Sequence, residues 1–154
     1  MGKENEEVVI KKGKPVYQNV WKEGYKNALS ISAGTGAVSR LCSSYAWDTA
    51  LNFIKSIGFT QYPTSIYLYN GNWKAQPLKD KKGNIIKDAN VMQILPTGQT
   101  TPYGNIYDMG GNISEFTTEL NMGTDEPVIA RSSNDNYKFA PAGSRWDFGT
   151  NYSA

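Results

Sequence analysis

The sequence predicts an α+β domain in which two helices pack on a small mixed or antiparallel sheet and long loops make up much of the rest. Two observations predict it. Apolar residues recur at helical spacing in two stretches before Gly58, and beyond it the texture changes to short aromatic and β-branched runs broken by Gly, Pro and Asn. Helices segregated from strands along a chain indicate α+β layers rather than alternating βαβ units. At 154 residues the chain suits one domain, long enough to bury about two-thirds of its unfolded surface without disulfide staples.

The first helix is expected from about Val20 to Ser30, because Val20, Trp21, Gly24, Tyr25, Ala28 and Leu29 fall on one face. A glycine-rich connector, Ala33-Gly34-Thr35-Gly36-Ala37, follows and reads as a loop: no strand precedes it and no Gly-Lys-Ser/Thr closes it, as a phosphate-binding loop requires. The second helix is expected from about Ser44 to Ile57, with Ser43 or Ser44 as N-cap and Gly58 as the stop. Trp47, Ala50, Leu51, Ile54 and Ile57 form its apolar stripe. Turn signals then recur at Asn70-Gly71-Asn72, Lys82-Gly83-Asn84, Pro96-Thr97-Gly98 and Gly110-Gly111-Asn112. Long loops in a compact domain usually serve function or hold a ligand, since their backbone groups otherwise lack partners.

Composition removes whole classes of chemistry. The chain has no histidine and one cysteine, so it has no Ser-His-Asp or Cys-His relay and no imidazole ligand for zinc, iron or copper. Cys42 cannot form an internal disulfide and reads as a small packed residue at the start of the second helix. The net charge is only +2, and the lysines around Lys79 and Lys82 suit a solvated hairpin, so nucleic acid is not expected as a partner. The apolar runs are too short to span a membrane, and Met1 to Glu7 has no signal-peptide core.

The segment from Asn105 to Thr117 carries the chemistry. Asp108 and Glu115 flank a tight Gly110-Gly111-Asn112 turn, a spacing that lets two carboxylates and the intervening carbonyls converge on a hard cation such as calcium. The same residues also suit a capped turn followed by a solvated strand residue, and chemistry alone leaves both readings open.

The run Asn105-Ile106-Tyr107-Asp108-Met109-Gly110-Gly111-Asn112-Ile113-Ser114-Glu115-Phe116 resembles the Gly-Leu-Tyr-Asp-Met-Ala-Gly-Asn-Val-Trp-Glu-Trp signature of the formylglycine-generating enzyme (sulfatase-modifying factor) family. Two further stretches match in order. Arg40-Leu41-Cys42-Ser43-Ser44-Tyr45-Ala46-Trp47-Asp48 resembles the family's Arg-Leu-Pro-Thr-Glu-Ala-Glu-Trp-Glu, and Pro15-Val16-Tyr17-Gln18-Asn19-Val20-Trp21 resembles its Pro-Val-x-x-Val-x-Trp. The resemblance implies a C-type-lectin-like fold over residues 15–154, incomplete at both ends, with 1–14 as an N-terminal extension or partial edge strand. It places one calcium site on the Asp108 and Glu115 side chains and the Gly111 and Ile113 carbonyls. A second family site begins at Asn90 and Val91, although the segment that would complete it, between Gln93 and Tyr103, is much shorter here.

The family's oxidase activity uses two cysteines near the C-terminus to bind copper, and related iron enzymes use histidines; the chain has neither set. Catalysis is therefore expected to be lost and ligand recognition, of protein or carbohydrate, retained. The expected surface is the tail, where Asn134, Asp135, Asn136, Tyr137, Trp146, Phe148, Asn151 and Tyr152 combine aromatic area with adaptable polar groups; Trp146 and Phe148 suit burial in the core better, and Tyr137 and Tyr152 suit the surface. Its composition resembles the variable regions of retroelement-diversified proteins of this fold. The alternatives are an enzyme using Asp48, Asp108, Glu115 or Arg145 in a cleft, and a structural module of a larger surface or phage protein. The resemblance favours a cell-surface, secreted or phage-borne setting.

Overall fold

The computed structural model describes residues 2–4, 7–9, 12–16, 20–32, 34–65, 71–80, 82–99, 101–123, 127–132 and 142–148, with backbone alone at 2–4, 7–9, 146 and 148. The chain is α+β. Strands β1 (Gly2–Glu4) and β2 (Glu7–Val9) form an antiparallel hairpin and pair only with each other among the described residues. Helices α1 (Trp21–Ser30) and α2 (Ser44–Ser56) follow, then a short hairpin of β3 (Leu78–Lys79) and β4 (Ile85–Lys87). Strands β5 (Glu115–Leu120), β6 (Val128–Arg131) and β7 (Arg145–Phe148) make an antiparallel sheet with β6 in the middle. Every residue of β6 is buried, as expected of a central strand covered on both faces. Among the described residues, no helix is long and apolar enough to cross a membrane.

Both helices lie against β5. Trp21 Nε1 donates to the Thr117 carbonyl at 2.9 Å, and the Thr118 amide donates to the Cys42 carbonyl at 3.1 Å just before α2 begins. Helix α2 starts where Ser43 accepts a hydrogen bond from the Ala46 amide at 3.1 Å, which satisfies one of the amides a helix leaves orphaned. Trp47, Leu51 and Ile54 point into the core with Tyr62, Tyr103, Met109 and Ala142, and Trp47 Nε1 donates to the Ala142 carbonyl at 2.8 Å. Tyr103 stacks edge-on against Phe59, ring centroids 4.6 Å apart.

The structure departs from sequence expectation at several points. Ile57 is 42 % exposed, because α2 ends at Ser56 and Ile57 takes the non-helical C-cap conformation before Gly58 turns the chain at a φ of 105°. Tyr25 and Leu29 of α1 are also exposed; Gly24 and Ala28 form its buried stripe. Cys42 is exposed rather than packed, with its thiol against the Ser43 carbonyl. Asn72, at the end of the Asn70-Gly71-Asn72 turn signal, is wholly buried.

Candidate functional site

The loop before β5 is built by backbone proximity. Gly111 forms a parallel bridge with Asn72, and a Cβ on Gly111 would lie 2.8 Å from both the Asn72 nitrogen and oxygen. Its φ of 77° is a second reason for glycine there. The next residue, Asn112, also takes a positive φ and is buried. Its amide side chain pairs with the Leu95 backbone as a strand would, accepting from the Leu95 amide at 2.8 Å and donating to the Leu95 carbonyl at 3.0 Å. Asn112 Oδ1 also accepts from Asn72 Nδ2 at 2.8 Å, and the Asn112 backbone amide donates to the Asn72 carbonyl at 2.8 Å. Gly111 donates to Ser132 Oγ at 3.1 Å. Three distant segments are thus clamped around the turn, and Asp108 and Glu115 leave it on either side.

Asp108 sits at a φ of 58° and its Oδ2 accepts from the Gly98 amide at 2.5 Å. The bond joins Asp108 to the Pro96-Thr97-Gly98 turn rather than capping the Gly110-Gly111-Asn112 turn that it precedes. Glu115 is different. The residue is half-buried, but its Oε2 is sealed from solvent and has no hydrogen-bond partner. Burial drives its carboxyl well above the usual glutamate range; the positive charge of the N-terminus lowers it in part, and the Asp108 charge raises it again. The same two carboxylates, after burial and Tyr103, push the Tyr62 phenol beyond its ordinary range. Arg131 faces Glu115 across the β5–β6 ladder, but its guanidinium is turned to Asp48, with which it forms an ion pair. Arg131 Nε and Nη1 are buried without partners.

A lone buried carboxylate oxygen beside a second carboxylate fits a cation whose other ligands are backbone carbonyls. The Gly111 carbonyl accepts from the Ile113 amide at 3.0 Å, and a carbonyl has a second lone pair available. Among the described residues, no group of three or more acidic, Cys or His side chains is assembled for a metal. A calcium site with two carboxylates and two carbonyls does not need one.

At the second sequence-derived location a different cation is present. Val91 is 42 % exposed, and its carbonyl accepts from Lys87 Nζ at 3.2 Å. That ammonium, on a residue 3 % exposed, also donates to the Trp73 carbonyl at 2.7 Å and the Gln76 carbonyl at 3.1 Å. Asn90 is exposed at a φ of 65°, with its amide bonded to the Lys74 carbonyl. A fixed ammonium on the Val91 carbonyl opposes a divalent ion at that oxygen. Sequence reasoning missed Lys87 because a lysine in a hairpin reads as solvated.

Of the tail residues, Asn134, Asp135, Asn136, Tyr137, Asn151 and Tyr152 lie outside the described residues. Trp146 occupies β7 opposite Ala130 in register. Asp48 and Arg145 line one surface cleft, whereas Asp108 and Glu115 do not border it. The four residues of the enzyme alternative are therefore not brought together. Although the residue as a whole is exposed, partial burial of its thiol pushes Cys42 above its ordinary value, with Arg131 lowering it in part and Glu115 raising it again. In comparisons with known proteins, no family model matches the chain, no curated protein matches it and no solved structure matches it.

Proposed function

We propose that the domain is a non-catalytic ligand-recognition module on a C-type-lectin-like scaffold of the formylglycine-generating enzyme kind, stabilised by calcium held by Asp108, Glu115 and the Gly111 and Ile113 carbonyls. The observation that carries the calcium reading is Glu115 Oε2, a carboxylate oxygen sealed from water with no partner. An ionised oxygen in that position costs several kcal/mol unless a cation compensates it. Arg131, the register partner of Glu115 on β6, pairs with Asp48 through its Nη2. Calcium bound here would neutralise the two carboxylates and tie the loop to β5. The enzyme reading is weaker: a raised carboxyl suits acid catalysis, but this oxygen is shut off from solvent and thus from substrate. Recognition is supported by the absence of histidine and of a cysteine pair.

The test is a thermal melt of the parent, Asp108→Ala, Glu115→Ala and the exposed control Asp88→Ala, each with calcium and with chelator. Calcium raises the parent and control midpoints by mass action and leaves the two loop variants unmoved. Parent curves that coincide with and without calcium sink the reading.

A further inference from the structure

The β3–β4 hairpin and the loop that follows it carry an apolar surface. Leu78 and Lys87 are register partners and both are buried, so they mark the face of the hairpin turned to the domain. Every other residue from 82 to 94 is exposed. Five of them are large and apolar: Ile85, Ile86, Val91, Met92 and Ile94 are 40 to 59 % exposed. Lys87 Nζ donates to the Val91 carbonyl at 3.2 Å and the Asn90 amide to the Lys74 carbonyl at 2.7 Å, which holds the loop beside the hairpin. Exposed apolar residues scattered singly are ordinary, whereas five within ten residues of one hairpin and its loop mark an interaction surface. The same stretch is the basic part of the chain. Residues 74–94 hold five lysines against Asp80 and Asp88, a surplus larger than the net +2 of the whole chain. Exposed Lys79 lies opposite Ile85 in register, and Lys82 is exposed at the hairpin turn. Asp80 is turned into that turn, where it accepts from the Lys82 amide at 2.8 Å and from the Asn84 amide and Nδ2 at 2.9 Å. Lysines interleaved with aliphatic groups suit a surface that is anionic outside and apolar beneath, since the ammonium reaches outward while the apolar side chains go under it. A protein partner fits less well, because residues 74–94 contain no aromatic side chain and no arginine, the types that anchor protein interfaces.

We propose that the β3–β4 hairpin and the loop to Ile94 dock on an anionic lipid surface, with Ile85, Ile86 and Met92 entering the headgroup boundary and Lys74, Lys79 and Lys82 pairing with the lipid headgroup anions. None of these residues belongs to the calcium loop, so the two readings stand or fall separately. The experiment is vesicle co-sedimentation below the melting midpoint, in chelator so that calcium cannot bridge lipid to a carboxylate. One set of vesicles is phosphatidylcholine alone and the other is about one-third phosphatidylserine, the anionic fraction that gives the surface its potential. The protein binds the anionic vesicles and not the neutral ones, and added salt releases it. Lys79→Gln and Lys82→Gln each weaken binding about fivefold, the attraction of one ammonium to such a surface. Ile85→Ser combined with Met92→Ser weakens it at least about tenfold through lost apolar burial. Val38→Ser, at a 75 % exposed apolar residue outside the patch, leaves it unchanged, and all variants keep the parent melting midpoint. Failure to bind either vesicle, binding that ignores lipid charge, or a double variant that binds as the parent does overturns the proposal. Soluble polyglutamate that binds as tightly as the anionic vesicles also overturns it and assigns the surface to an acidic protein.

Discussion

Replacing Trp47 with alanine tests the core on which every other feature rests. The indole is 5 % exposed and is enclosed by Leu51 and Ile54 of its own helix and by Tyr62, Tyr103, Met109 and Ala142. Removing a large aromatic from such a site costs about 4 kcal/mol. The change also strips the Ala142 carbonyl of its 2.8 Å donor, and an orphaned acceptor adds about 1 kcal/mol or more where water cannot reach it. With an unfolding entropy of about 2.1 cal/mol/K per residue over this length, the combined loss lowers the melting midpoint by about 15 °C. Trp47→Phe separates the two contributions, since it keeps most of the apolar contact and loses only the donor. Urea unfolding followed by far-UV circular dichroism gives both values. A loss below about 1 kcal/mol for Trp47→Ala refutes the assignment of this stripe to the core.

Other substitutions probe the loop and its surroundings. Asn112→Ala strands the Leu95 amide and carbonyl and removes one of the two acceptors of Asn72 Nδ2, and is expected to cost at least about 2 kcal/mol in the same unfolding assay. Lys87→Met leaves the Trp73, Gln76 and Val91 carbonyls without their shared donor, with an expected loss of about 2–4 kcal/mol; a neutral result removes the ammonium from its structural role. The raised Glu115 carboxyl makes the calcium-free protein sensitive to pH. The folded state holds that proton more tightly than the unfolded chain, so stability falls as pH rises from the unfolded glutamate value through the raised folded one. Melting midpoints across that range in chelator show the decline, while Glu115→Gln or added calcium abolishes it.

The helices were legible because their determinants are local. Ser43 and Gly58 sit at the boundaries where a side-chain cap and a positive φ are needed, and the 3.6-residue recurrence of Trp47, Leu51 and Ile54 needs no knowledge of the partner surface. The exposure of Ile57 shows the limit of that logic: the stripe continued one residue past the helix that gives it a face. The Gly110-Gly111-Asn112 turn was legible as a turn, but not for its main physical reason. Gly111 is excluded from carrying a Cβ by Asn72, 39 positions earlier, and no local pattern announces that contact. The pairs Arg131 with Asp48 and Arg145 with Glu119 are equally silent, because they join elements distant in the chain. Nothing local marks Lys87 or Asn72 for burial, which carbonyls distant in the chain make tolerable for them.

Calorimetric titration of the chelator-treated protein with calcium addresses the central claim most directly, because it registers the ion itself rather than its effect on unfolding. The account predicts that the parent takes up calcium at a single site and that Glu115→Gln, which keeps the shape of the side chain but removes its charge, takes up none. A parent that gives no binding heat and whose melting midpoint is the same with calcium and with chelator contradicts it.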